Sequence, residues 1–110
     1  MSDESDLEKA RPVCLRDHIQ YAAGAVVSKT LVNRKTGTIT LFAFDAGQGL
    51  SEHTAPFDAI VQILDGEAEL TIGGKIVNVS AGQMVVMPAN IPHAVKAIQK
   101  FKMLLTMIRS

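Results

Sequence analysis

The chain has 110 residues, enough for one domain that buries a single core without a disulfide or a structural metal. Its 11 basic and 11 acidic residues balance and form no basic stripe, which argues against a nucleic-acid partner. Apolar runs fall far short of the roughly 20 residues that span a bilayer, and the N-terminus is acidic, unlike a signal peptide. With one cysteine, Cys14, unable to form an internal disulfide, we expect a cytoplasmic protein without a membrane partner.

The first residues are polar and contain little that a core could bury. We therefore expect residues 1–10 to form a mobile acidic tail, and residues 11–110 to form a single barrel domain. Residues 12–21 fit neither helix nor strand periodicity, and Pro12 limits them to a turn of helix covering one end of the barrel. His18 lies in this segment, where nothing around it has the spacing of a metal site.

After Gly24 the chain changes to short β-branched runs separated by turn residues, a pattern typical of an all-β barrel or sandwich. The alternation of Glu67, Glu69 and Thr71 with apolar residues predicts a strand with one wet and one buried face. Gly73-Gly74 predicts a two-residue hairpin turn. About eight strands are expected, from runs at residues 25–32, 38–44, 50–54, 59–64, 67–72, 75–79, 84–87, 93–98 and 101–108.

Two stretches, residues 53–66 and 82–97, place histidine, glycine and proline at regular intervals. They resemble the two signature motifs of the cupin family. The first motif is Gly, five residues, His-x-His, three or four residues, Glu, six residues, Gly. The second is Gly, five residues, Pro-x-Gly, two residues, His, three residues, Asn. Every spacing is matched by Gly47, His53, Ala55, Ala59 and Gly66, and by Gly82, Pro88, Asn90, His93 and Ala97.

The resemblance implies an all-β fold, the double-stranded β-helix or jelly-roll barrel of cupins, and a pocket that holds Fe, Mn, Ni, Cu or Zn. The chain keeps the first and last metal-binding histidines as His53 and His93. It has Ala55 and Ala59 where the family has a second histidine and the glutamate. Binding of such a divalent metal is therefore expected to be weak or absent, since half the donors are lost. Met87 could suit copper, but methionine in a strand is more often packing material.

Glu52, Asp58 and Gln62 lie near the motif and carry side chains that could also bind a metal. Because side chains alternate between the two faces of a strand, these three point away from the faces of His53 and Ala59 unless a β-bulge resets the alternation. Asparagine next most readily accepts the left-handed backbone of the family's glycine, so Asn90 should preserve the turn after Pro88. We expect the two histidines to face one pocket with the apolar side chains Val61, Ile63, Met84 and Val86.

Three functions stay open from the sequence. The first, which the two alanines favour, is a binding module that holds a small organic ligand in the barrel. The second is a metal-dependent dioxygenase or isomerase that uses His53, His93 and an unidentified third donor. The third is a self-associating structural or regulatory domain. A homodimer is expected in any case, because residues 25–32 and 101–108 are more apolar than a monomer could leave exposed at sheet edges.

Overall fold

The computed structural model describes residues 7–109. Within them lie one turn of 3-10 helix, Leu15–Asp17, and nine strands. All nine apolar runs of the sequence form a strand, so the barrel has one more than the expected eight. The strands are β1 Val26–Arg34, β2 Gly37–Phe44, β3 Gly49–His53, β4 Ala59–Asp65, β5 Glu67–Ile72, β6 Lys75–Ser80, β7 Met84–Met87, β8 His93–Lys96 and β9 Phe101–Ile108.

The strands form two antiparallel sheets that face each other. One sheet has the order β1-β2-β9-β4-β7 and the other the order β3-β8-β5-β6. Strands that are adjacent in one sheet are often distant in the sequence, as β9 is from both β2 and β4. This double sheet is the jelly-roll barrel that the sequence predicted.

The main core fills the space between the sheets. In β4 the buried residues Ala59, Val61 and Ile63 alternate with less buried ones, as a strand with one face on a core requires. Phe44 and Phe101 stack in this core with ring centroids 4.6 Å apart, and neither is exposed to solvent. Apolar burial of this kind supplies most of the driving force for folding.

A second apolar cluster lies on the outer face of the five-stranded sheet. Leu41, Ala43 and Leu104 point outward there and are covered by Ile19, with Leu7 and Leu15 nearby. The N-terminal segment therefore covers this face rather than one end of the barrel, which corrects the expectation from sequence. The reason lies in β2 and β9, whose side chains are apolar on both faces and must be buried on both.

Polar contacts fasten the N-terminal segment to the barrel. Lys102, only 6% exposed, donates from Nζ to the carbonyl of Arg16 at 2.6 Å. The hydroxyl of Tyr21 donates to Oδ2 of Asp65 at 2.6 Å. Burial, and then the hydrogen bond and charge of Asp65, raise the pKa of Tyr21 well above its ordinary value. The Tyr21 hydroxyl is thus kept protonated, and within residues 7–109 no buried side-chain nitrogen or oxygen lacks a hydrogen-bond partner.

The predicted acidic tail is described only from Leu7 onward, and residues 1–6 lie outside the described residues. The amide of Leu7 donates to the carbonyl of Leu31 at 2.9 Å, so this residue contacts the barrel. No helix in the described part of the chain is long and apolar enough to cross a membrane.

The glycine that ends the first motif is required by both its backbone and its surroundings. Gly66 has φ of +75°, and a Cβ there would lie 2.5 Å from the carbonyl oxygen of Lys100. Gly82 has a similar φ of +89°, but a Cβ there would meet nothing within 4 Å. Comparing alanine at Gly66 with alanine at Gly82 therefore separates the strain of a left-handed backbone from the steric clash of the added Cβ.

We expect Gly66→Ala to lower the free energy of unfolding by about 1–3 kcal/mol more than Gly82→Ala. Both substitutions incur the strain of a left-handed alanine, and only the first also displaces backbone of the loop before β9. Urea denaturation of both variants measures the difference. Equal losses would contradict the steric argument.

Asp45 joins the end of β2 to the turn before β1. Its carboxylate accepts hydrogen bonds from the amide of Gly24 at 2.7 Å and from its neighbour Ala46 at 2.9 Å. These two bonds, the Gly24 amide first, lower the pKa of Asp45 below its ordinary value. The folded protein therefore favours the charged carboxylate.

A depressed pKa stabilises the folded state at pH values above the ordinary aspartate value of about 3.9. This contribution is lost as the pH falls through the lower pKa of the folded state. We expect Asp45→Asn to reduce the unfolding free energy above about pH 4, with the difference from wild type shrinking toward more acid pH. Urea denaturation across a pH series tests this. A difference that does not change with pH would contradict it.

Candidate functional site

Two histidines from the two motifs meet at one end of the barrel. His53 ends β3 and His93 begins β8, and the two are direct partners across this antiparallel strand pair. The register shifts between Leu50 and His53, as at a β-bulge, so His53 is turned relative to the earlier residues of its strand. The ring centroids lie 4.4 Å apart with an interplanar angle of 69°.

The backbone sets the tautomer of both rings. Nδ1 of His53 lies 2.8 Å from the carbonyl oxygen of Ser51, and Nδ1 of His93 lies 3.2 Å from that of Ile91. A carbonyl oxygen only accepts hydrogen bonds, so each Nδ1 carries the hydrogen and donates it. In a neutral ring with this tautomer, Nε2 is an unprotonated lone pair.

The two Nε2 atoms lie 3.1 Å from each other. If both rings were neutral with hydrogen on Nδ1, two lone pairs would face each other at this distance, which is repulsive. A shared proton or another cation placed against both nitrogens turns this repulsion into attraction. The pair is therefore arranged to accept something positive or to receive a hydrogen-bond donor.

The pair opens onto a small apolar cavity of about 40 Å³ inside the barrel. His93 is 4% exposed, whereas His53 is exposed at the mouth. At about 10–15 Å³ for each water, the cavity holds about three waters or a ligand of a few atoms. The remaining walls are apolar or thioether side chains from both sheets: Leu50, Ala55, Ala59, Met87, Val95, Met103, Leu105 and Met107.

The structure places the predicted pocket residues in three different environments. His53 and His93 are brought together. Val61 and Ile63 are buried in the core between the sheets, and neither forms part of the cavity wall. Met84 and Val86 are 60% and 47% exposed and point away from the barrel interior.

The position of Met84 and Val86 corrects the expectation that they line the pocket. Strand β7 pairs with β4 so that Met87 is opposite Ala59 and Val85 is opposite Val61. Because side chains alternate between faces, Met87 and Val85 point inward and the residues between them point outward. The sequence of β7 is apolar at all four positions, so only its register with β4 distinguishes the inner face.

Sequence reasoning set aside Met87 and missed Met103 and Met107 as residues of the cavity. Met107 and Met87 are both direct partners of Ala59, on the two strands that flank β4. The pairing of β9 with β4 joins segments about 40 residues apart in the chain, and no local sequence pattern predicts it. Because the side chain of Ala59 is small, it leaves space between the thioether side chains of Met87 and Met107.

The donors do not fit a site of three histidines and one carboxylate. Ala55 and Ala59 bring methyl groups to the two remaining positions. The carboxylate of Asp58 is used elsewhere, since its Oδ1 accepts a hydrogen bond from the amide of Ala89 at 2.8 Å. Over residues 7–109 there is no group of three or more His, Cys, Asp or Glu side chains able to hold a metal.

The turn after Pro88 positions the second histidine. Asn90 has φ of +64°, as expected of a residue in place of the family's glycine. Its amide donates to the carbonyl of Ala55 at 2.7 Å, which ties the turn to the first motif. At the other end of the motifs, Gly47 and Ala97 are joined by a 2.7 Å hydrogen bond between their backbones. Ala97, which stands where the second motif has asparagine, is fully buried here.

A second and larger cavity lies outside the barrel, away from the histidines. It is an open groove of about 370 Å³ at the edge of the five-stranded sheet. Val86, which was expected in the inner pocket, is one of its walls. The others are Pro56, Phe57, Asp58, Ile60, Ala89 and Ile108.

Several solved structures have the same architecture as this chain. A conserved protein of unknown function from Streptococcus pyogenes is 40% identical, with a TM-score of 0.91 over 100% of this chain and 96% of that one. A cupin superfamily protein from Desulfitobacterium hafniense is 28% identical, with a TM-score of 0.88 over 96% of both chains.

A cupin 2 conserved barrel domain protein from Leptotrichia buccalis is 41% identical, with a TM-score of 0.83. The match covers 86% of this chain but only 46% of that protein, so this chain spans about half the length of that relative. Among curated proteins, no sequence matches the chain.

The family model described as a cupin domain matches residues 40–109. This range begins in β2 and contains both motifs and both histidines of the cavity. The match covers more than half of the chain, and the double sheet agrees with the solved cupins. The chain therefore belongs to the cupin domain family.

Proposed function

We propose that this protein is a small-ligand-binding cupin that holds its ligand against Nε2 of His53 and Nε2 of His93. The observation that carries the proposal is the facing pair of Nε2 atoms, 3.1 Å apart, at an apolar cavity. A mostly apolar cavity with a few convergent polar atoms is the usual form of a small-molecule site. The cavity volume limits the ligand to a few non-hydrogen atoms.

The side chains around the cavity favour binding over catalysis. Apart from the two imidazoles, the wall carries no carboxylate, hydroxyl, thiol or amine. A general acid–base pair or a nucleophile with its base would need such groups within hydrogen-bond reach. A metal-dependent dioxygenase or isomerase is the second candidate, and the two imidazoles are the feature that supports it. It would need donors that Ala55 and Ala59 do not provide.

The same pocket gives a direct test of the proposal. We expect purified protein to carry or bind a small ligand that shifts the imidazole nitrogen signals of both His53 and His93 in nitrogen-15 NMR. Native mass spectrometry identifies what is bound. In His53→Ala and His93→Ala, binding should weaken by about tenfold or more, since each imidazole supplies one of only two polar contacts.

His18, which lies outside the cavity, is the internal control and its signals should not move. Before ligand is added, both cavity rings should carry hydrogen on Nδ1. Hydrogen on Nε2 with an unprotonated Nδ1 in either ring would contradict the tautomers on which the proposal depends. A ligand that binds equally well to both alanine variants would place the site elsewhere.

We further propose that the protein is a cytoplasmic homodimer. The exposed, unpaired thiol of Cys14 suits a reducing compartment. The apolar strand β9 is not the exposed edge that was expected, since it lies between β2 and β4. Support for pairing comes instead from β7, an edge strand whose side chains Met84 and Val86 are exposed beside the outer groove with Ile108.

A charge placed in this surface should separate the subunits. We expect wild type to be dimeric at micromolar concentration and Val86→Glu to be monomeric, because dimerisation would bury the new carboxylate without a partner. Ile76→Glu is the matched control, since Ile76 is 64% exposed on β6 in the other sheet. Light scattering measures the mass. A monomeric wild type, or a dimer that survives Val86→Glu, would overturn this arrangement.

A further inference from the structure

The cavity combines the imidazole pair with sulfur atoms from the opposite sheet. Met87 on β7 and Met107 on β9 are both cross-strand partners of Ala59 on β4. They therefore form one row, Met87–Ala59–Met107, whose side chains share the inner face. Both methionines and both histidines are walls of the same 40 Å³ cavity. Met87 is 3% exposed, so this sulfur is shielded from solvent.

We propose that the ligand of this cavity is the cuprous ion, Cu(I), bound by Nε2 of His53, Nε2 of His93 and the thioether sulfurs of Met87 and Met107. This inference rests on the proposed function and names the chemical class of its ligand. The four donors come from four strands, β3, β8, β7 and β9, and face one space.

The softness of the donors selects the metal. Thioether sulfur is a soft ligand that favours Cu(I), and imidazole nitrogen suits copper as well, whereas carboxylates and water suit Mg, Ca and Mn. No carboxylate or thiolate is among the walls of the cavity. The donor set therefore departs from the three-histidine, one-carboxylate site of other cupins in the direction of a softer metal.

The absence of negative charge from the cavity walls selects the oxidation state. All four proposed donors are neutral, so the site cannot compensate the charge of the ion. The desolvation cost of a buried ion grows with the square of its charge, so a divalent ion costs about four times as much as a monovalent one. A monovalent copper ion is therefore favoured over Zn²⁺ or Cu²⁺ in this cavity.

The imidazoles are already held in the form that binds a metal. Metal-ligating histidines usually donate their second ring N–H to a carbonyl or carboxylate, which fixes the tautomer and ring orientation. Both rings do so here, to the carbonyls of Ser51 and Ile91. The Nε2 lone pairs that would otherwise repel each other then share one cation.

The separation of the two nitrogens requires further ligands. With metal–nitrogen distances of about 2.0–2.1 Å, a spacing of 3.1 Å corresponds to an angle at the metal of about 100°. A linear two-coordinate ion would need the nitrogens about 4 Å apart. An ion bound by both nitrogens at this spacing would lie to one side of the pair, and the cavity on that side is lined by Met87 and Met107.

Anaerobic titration with Cu(I), in competition with a chromophoric Cu(I) chelator, tests the site. All proteins carry Cys14→Ser, which removes the single thiol of the chain. We expect one Cu(I) per chain, with sulfur and nitrogen neighbours in X-ray absorption at the copper edge. His53→Ala, His93→Ala, Met87→Leu and Met107→Leu should each weaken binding by about tenfold or more. Zn²⁺ should compete poorly.

Met84→Leu is the matched control. Met84 lies on β7 as Met87 does, but it is 60% exposed on the outer face and is not part of the cavity wall. Leucine nearly conserves the volume of methionine, so the three Met→Leu variants differ mainly in which sulfur they remove. Met84→Leu should keep the wild-type affinity for Cu(I). Circular dichroism of each variant confirms that the fold is kept.

Three other results would overturn the inference. One is Cu(I) binding that needs the histidines but not Met87 or Met107. Another is tighter binding of Zn²⁺ than of Cu(I). The last is no binding of Cu(I) by protein that does bind a small organic molecule at the imidazoles, which would leave the proposed function standing. If neither copper nor any organic ligand engages His53 and His93, the proposed function fails together with the inference.

Discussion

The backbone hydrogen bonds between the two motifs are the contacts on which the site depends. The amide of Asn90 binds the carbonyl of Ala55, and Gly47 and Ala97 bind each other at the far end of β3 and β8. Because hydrogen bonds hold the pairing of β3 with β8 at both ends, His53 lies directly opposite His93. A shift of one residue would turn either imidazole to the outside of the barrel. The motifs thus act as a pair, and neither builds the pocket alone.

The same ties explain which motif residues can vary. Motif positions that need a particular backbone geometry still have it. Asn90 adopts the left-handed conformation, and Gly66 leaves room for the carbonyl of Lys100. Two of the four positions that hold metal donors in the family motifs carry alanine, Ala55 and Ala59, and the other two keep His53 and His93. The barrel keeps its frame because backbone contacts hold it, and these contacts do not depend on the side chains at residues 55 and 59. A cavity of altered chemistry can therefore exist inside an unaltered fold.

The two faces of the five-stranded sheet pack against different parts of the protein. The inner face forms the core and the cavity, with Met103 and Met107 on β9. The outer face of β2 and β9 is covered by the N-terminal segment, which Lys102 and Tyr21 hold in place. Among the described residues this cover does not reach the outer face of β7, where exposed apolar residues lie beside the outer groove. The uncovered part of the sheet is the surface proposed to pair.

The sequence by itself determined the strands and the frame of the site. Alternation in β5, glycine and asparagine at the turns, and the motif spacings are local signals, and they led to the barrel and to the pair His53 and His93. Register was decided only by the tertiary structure. The inward face of β7, the position of β9 between β2 and β4, and the meeting of Met87 and Met107 at Ala59 all depend on pairing between distant segments. An all-apolar strand carries no alternation that would reveal its inner face, so packing against the opposite sheet makes that choice.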